Sequence, residues 1–189
     1  MANTYPNSLY RMNDVNKALN FTPEQMNRLN TLTQQMQTQY RDNYTNLGNV
    51  TPAERFARAQ ALNQQYSNDW NKAAGNILTD SQRGRYQQLN YQYGGFNTLY
   101  DPAVQKQLNL TPAQITDLRS QSEWNNQQMQ DVYRLGATDP ARGTQAYKDY
   151  WTQRQERLNK FLTPDQQKVW LQMTGDPYTF QPTFTTPSP

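Results

Sequence analysis

The side chains whose types and spacing recur most regularly are four threonine–glutamine pairs: Thr22 and Gln25, Thr79 and Gln82, Thr111 and Gln114, Thr163 and Gln166. An apolar residue precedes each pair, namely Phe21, Leu78, Leu110 and Leu162. A hydroxyl and a primary amide three residues apart are suited to hydrogen bonding, not to making or breaking covalent bonds. As an N-cap, the Thr hydroxyl accepts from the N–H three residues on, and the Gln side chain reaches back to the N-cap N–H. Pro23, Pro112 and Pro164 follow three of the threonines, and proline at the first helical position sacrifices nothing because that N–H has no intrahelical partner. The motif is a capping box, and each occurrence predicts a helix start.

Covalent chemistry finds little support. The chain has no His and no Cys, which removes the commonest general base, the thiolate nucleophile and the best zinc, copper and nickel ligands. Glu24, Glu54, Glu123 and Glu156 are far apart in sequence and form no local acid–base couple of the glycosidase kind. There is no phosphate-cradling glycine loop and no nucleophile elbow. The expectation is a protein that is not an enzyme, with no catalytic, cofactor-binding or metal site. The net charge of +3 and pI near 9.1 are mildly basic, but Lys and Arg are scattered among carboxylates, so no nucleic-acid partner is expected.

Binding chemistry is better represented. Trp124 lies off the apolar stripe of its helix, and Tyr147, Tyr150 and Trp151 widen the apolar face of another. Arg154 follows Trp151 by three residues, within reach of a cation–π contact. An aromatic patch with basic neighbours suits loose capture of unfolded segments; alternatively, these aromatics close the interface between two halves of the chain. Arg55 and Arg58 share one side of a helix and form either a solvated face or a basic rim that attracts acidic clients.

Long helices must position these groups. The motifs fall in two pairs, 57 and 52 residues apart, and the flanking sequences also repeat. Ser8-Leu9-Tyr10 followed by Val15, Lys17, Leu19 and Asn20 returns as Thr98-Leu99-Tyr100 followed by Val104, Lys106, Leu108 and Asn109. Each copy begins with a short lead-in helix, the second capped by Asp101. A long helix follows: Met26, Leu29, Thr33, Met36, Tyr40, Tyr44 and Leu47 stripe the first, which is expected to end at Gly48. Ile115, Leu118, Ser122, Asn125, Met129 and Val132 stripe the second, expected to end at Leu135-Gly136. Capping signals at Thr51 to Glu54 and at Asp139-Pro140 open return helices. Short connections then require an antiparallel hairpin in each copy. Phe21 with Met26 and Leu110 with Ile115 are expected to form hydrophobic staples, whereas the closing helices are expected to anchor through Tyr86 and Trp170, each seven residues beyond its cap. The expected organisation is a first helical repeat over 1–93, a second over 94–175, with Tyr91 to Phe96 linking the copies across that boundary, and an extended Pro-rich tail over 176–189.

Composition agrees with thin helical packing. With 34% hydrophobic residues and a mean hydropathy of −1.10, 189 residues cannot bury a thick core. Asn and Gln are roughly a quarter of the chain, interleaved with apolar residues at helical spacing. No segment approaches the ~20 apolar residues that span a bilayer. Met1 to Tyr5 lack the regions of a signal peptide, so the sequence is either cytosolic or a mature form with a new initiator Met.

Leu108-Asn109-Leu110-Thr111-Pro112-Ala113-Gln114, a long hairpin, and then Phe161-Leu162-Thr163-Pro164-Asp165-Gln166 resemble the LTXXQ-motif family of Spy- and CpxP-like periplasmic proteins. The likeness covers Leu9 to Tyr91 and again Leu99 to Gly175. The family usually carries one motif pair per chain, and two chains form a thin, curved, all-α cradle that holds unfolded clients without ATP. For a duplicated chain the resemblance implies two tandem hairpin repeats making an elongated, pseudo-two-fold, fused-dimer-like cradle in one monomer. It also implies an extracytoplasmic, periplasmic location with a removed leader. The partners it implies are unfolded or partly folded proteins, or one defined envelope partner for a CpxP-like structural or regulatory adaptor. A third reading, a mildly basic binder of acidic polymers, follows from charge. Some relatives sense metals through His, Cys and Met; this chain departs from them in lacking the first two.

Overall fold

A computed structural model of the chain describes Pro6 and residues 9–182. Ser8, expected in the first lead-in, and tail residues 183–189 lie outside that range. Among the described residues the protein is all-helical, without a β-strand. Short 3-10 turns occupy Leu9–Arg11, Leu47–Asn49 and Gly95–Tyr100. The α-helices are α1 (Asn13–Ala18), α2 (Pro23–Asn46), α3 (Pro52–Ala74), α4 (Asp80–Gly94), α5 (Pro102–Leu108), α6 (Pro112–Thr138), α7 (Pro140–Phe161) and α8 (Pro164–Thr174).

The chain forms two compact units, residues 1–90 and 91–189. Tyr91 to Phe96, the expected link between the copies, begins at the boundary of the two units and is helical, comprising the last turn of α4 and the start of a 3-10 turn. Phe96 is fully buried with Leu99 in the core of the second unit.

All four Thr-x-x-Gln motifs form capping boxes. The threonine hydroxyls accept from the N–H of Gln25 (3.1 Å), Gln82 (3.3 Å), Gln114 (3.2 Å) and Gln166 (3.3 Å). The glutamine Oε1 atoms accept in return from Thr22, Thr79, Thr111 and Thr163. Beyond the boxes, the glutamines of each unit pair with one another. Gln25 Nε2 donates to Gln82 Oε1 (2.8 Å) and Gln82 Nε2 donates back to Gln25 Oε1 (3.2 Å). In the second unit the corresponding bonds between Gln114 and Gln166 are 2.8 and 3.0 Å. The remaining amide hydrogens reach backbone carbonyls: Ile77 and Leu19 in the first unit, Phe161 and Asn109 in the second. Each amide thus uses two donors and two acceptor sites, which is its full capacity. The pair ties the start of α2 to the start of α4, and the start of α6 to that of α8.

A carboxylate satisfies a capping box equally well but cannot donate. The fifth box, at Thr51, bears this out, because its N3 residue is a glutamate. Glu54 accepts from the Thr51 N–H (3.3 Å) and hydroxyl (2.8 Å), with Arg58 3.6 Å away. Hydrogen bonding from Thr51, with Arg58 beside it, holds the Glu54 carboxyl below its ordinary value. A folded value below the unfolded one gives stability that is complete above the unfolded value and is lost as pH falls through the folded one. Glu54→Gln is therefore expected to lower stability slightly at neutral pH, with the difference vanishing as pH falls through the carboxylate range. Melting temperatures of the two chains across the carboxylate range check this.

Each hairpin is antiparallel. In the first unit, partners recede along α3 as the chain advances along α2: Trp70 Nε1 donates to the Thr33 hydroxyl (2.9 Å), the Tyr40 hydroxyl to Asp69, and that of Tyr44 to Asn63 (2.8 Å). Burial and the Asp69 carboxylate push the Tyr40 phenol up to about 12. In the second unit the Tyr150 hydroxyl donates to Asn125, and Arg157 Nε to Gln121 (3.0 Å). Helix α6 runs past Leu135-Gly136, where it was expected to end, and stops at Thr138. Gly136 is buried in helical conformation, and proline at 140 supplies the stop by forcing extended backbone on Asp139 (φ −147°, ψ 97°), which caps α7.

The apolar residue before each opening cap packs into the core. Leu110 is buried with Leu118, Leu162, Trp170 and Met173, while Ile115 is 40% exposed. Phe21 is buried with its ring 6.3 Å from that of Tyr86. Tyr86 and Trp170 are both buried, as the spacing predicts.

Candidate binding site

The aromatic residues nominated from the sequence lie in the second unit. Tyr147, Tyr150, Trp151 and Arg154 sit at helical offsets of 0, 3, 4 and 7 on α7, so one helix face presents all four. Tyr147 lies 5.9 Å, and Tyr150 6.0 Å, from Trp151 between ring centroids, both edge-on. Trp124 projects from α6 to stack on Tyr150 at 6.2 Å. Arg157 lies over Trp124 at 4.6 Å.

Arg154 has an unusual environment. It is 4% exposed, its guanidinium lies 4.1 Å from the Trp151 ring, and its Nη2 donates to the Gln92 carbonyl. Gln92 belongs to the last turn of α4, where carbonyls lack intrahelical partners and the helix dipole is negative. A helix end thus takes the part that a carboxylate usually plays for a buried cation. Gly95, next after α4, has φ +52° and lies so close that a Cβ there would overlap the guanidinium. Burial lowers the Arg154 pKa, with the Tyr150 hydroxyl opposing, and burial raises the Tyr147 and Tyr150 phenols.

These positions correct the expectation of an open capture surface. Tyr147, Tyr150 and Arg154 are buried, and Trp124 and Trp151 are half-buried. The four aromatics form a packed cluster with Val132, Met129 and Ala146. The buried face of α7 runs through Gly143, Tyr147, Tyr150, Arg154 and Leu158, so Tyr147 is a core residue and not an addition to the stripe. Arg55 is also committed internally: its guanidinium donates to the carbonyls of Leu47 (2.9 Å), Gly48 (3.4 Å) and Val50 (3.1 Å), closing the turn between α2 and α3. Of the two proposed rim cations, only Arg58 remains exposed, beside Glu54.

Sequence reasoning passed over the other members of the site. Tyr93, 40% exposed, lies 6.1 Å from Trp151. The segment after Gly175, expected to be an extended tail, is irregular as far as it is described, yet it is docked. Phe180 is 2% exposed, stacked on Trp151 at 5.2 Å and edge-on to Tyr93 at 5.0 Å. The available signal was the alternation Tyr178-Thr179-Phe180, which places two rings on one side of an extended strand.

Open hollows of about 330 and 410 Å³ lie in the first unit, against Asn43, Arg58 and Leu62 and against Arg28, Leu32 and Asn76 respectively. Neither gathers a nucleophile with a base. Among the described residues no group of three or more carboxylates is placed to hold a metal, and no helix is long and apolar enough to cross a membrane. No protein-family model, no curated protein and no solved structure matches the chain.

Proposed function

We propose that this chain is a client-binding protein of the cell envelope, an ATP-independent chaperone of the LTXXQ kind that works as a monomer with an internal duplication. The observation that carries the reading is the pairing of capping boxes within each unit, where reciprocal glutamines hold a long helical hairpin by its base. The sequence resemblance supplies the class, and the paired boxes supply a reason for the motif to be kept twice in each copy. The family's cradle and its extracytoplasmic location belong to this proposal.

Light scattering of several chemically denatured clients, diluted with equimolar protein and no nucleotide, tests the reading. Suppression across unrelated clients is the expected result. Unchanged scattering for all of them would remove the chaperone reading. Tight binding to one folded envelope protein alone would point to the adaptor, and binding lost between low and moderate salt irrespective of client folding would point to acidic polymers.

A further inference from the structure

We propose that the face formed by Trp151, Tyr93 and the Gln92 side chain is a binding site for an aromatic residue in an extended polypeptide, and that Phe180 of the chain's own tail occupies it in cis. Recognition combines backbone and ring. The Gln92 amide donates to the carbonyls of Thr174 (2.7 Å) and Asp176 (2.8 Å), and its Oε1 accepts from the Tyr178 N–H (2.9 Å). One side chain thereby holds the end of α8 at Thr174 and reads two main-chain groups of the tail, Asp176 and Tyr178, a mode indifferent to sequence. Two residues on, Phe180 enters the aromatic face, with Tyr178 edge-on to it at 4.9 Å. Residues i and i+2 of an extended chain project to the same side, so an amide N–H followed two residues later by a ring is the chemistry selected.

The site deepens the client-binding reading and rests on it for its role. Unfolded chains are rich in extended segments with exposed rings, and the tail is the first such segment that the site meets. A tethered ligand acts at an effective concentration in the millimolar range, so a client must displace it. The half-exposed Tyr93 ring is an accessible edge from which displacement begins.

A peptide of residues 176–182 and a version with Ala at position 180 are the probes, titrated into the full chain and into full-length Phe180→Ala while tryptophan fluorescence is followed. Phe180→Ala is expected to bind the native peptide at least about tenfold more tightly than the unmodified chain does, and to ignore the Ala version. Equal binding by the two chains, or none by a folded Phe180→Ala, overturns the site. Should the variant lose its cooperative melt, hydrogen exchange in the unmodified chain decides: protection of the Tyr178 amide supports docking, and exchange at the unstructured rate overturns it. Light scattering of both chains separates the two proposals. Peptide binding without client suppression removes the chaperone reading and leaves the site; client suppression that Phe180→Ala leaves unchanged, without peptide binding, does the reverse.

Discussion

Gly95→Ala is expected to destabilise the second unit by about 3 kcal/mol. Two costs add. At φ +52° an L-residue with a Cβ costs about 1 kcal/mol or more, and the new methyl meets the Arg154 guanidinium, where overpacking costs about 1–3 kcal/mol. Arg154 cannot easily yield, because moving it surrenders the Gln92 carbonyl and the Trp151 face together. Urea unfolding of the variant measures the loss. Adding Gly95→Ala to Arg154→Met separates the costs: measured against Arg154→Met alone, the glycine change is expected to show only the backbone penalty of about 1 kcal/mol.

Trp70→Arg is expected to cost more, about 5 kcal/mol or above, enough to unfold the first unit. Trp70 is the counterpart of Arg154 when the copies are aligned on their closing motifs, so the substitution writes the second copy's residue into the first. The surroundings differ. Trp70 is fully buried, stacked near Tyr10 at 5.7 Å and Tyr86 at 5.5 Å, with Nε1 on the Thr33 hydroxyl. Removing such an aromatic costs about 3–5 kcal/mol, and desolvating a guanidinium among Tyr10, Tyr86 and Thr33 adds several more. Far-UV circular dichroism at 25 °C reads the outcome: a folded variant with near-native stability would show that the two environments are interchangeable.

Helix starts are legible in the sequence, and partnerships across the fold are not. The boxes at Thr22, Thr79, Thr111 and Thr163 are local in sequence and local in structure, so their residues alone place the starts of α2, α4, α6 and α8. The glutamine pairs were hidden because each partner is 57 or 52 residues away. One clue was present: glutamine at all four paired boxes, glutamate at the lone one. The spacing of Arg154 from Trp151 is legible in the sequence, but nothing in its neighbourhood names Gln92, which lies 62 residues earlier. The docking of Phe180 was masked by the prolines and missing helical period of Gly175 to Pro189, features that exclude a helix without excluding an ordered extended segment. Burial of Tyr147 and Arg154 depends on the breadth of the covered face, which periodicity along a single helix leaves open.

Central to this account is that the repeated motif is a paired joint whose glutamines act on each other across the hairpin. A double-mutant cycle on Gln114→Leu and Gln166→Leu measures that directly. Leucine removes the amide from either side while keeping the side chain long, and each single change strands the partner's polar atoms, at a net cost of about 2–3 kcal/mol. The double change strands neither against the other, so the predicted coupling is about 1–2 kcal/mol, with the double variant more stable than the sum of the singles implies. Additivity within about 0.5 kcal/mol would mean that the glutamines cap their own helices and nothing more, and would contradict the paired joint.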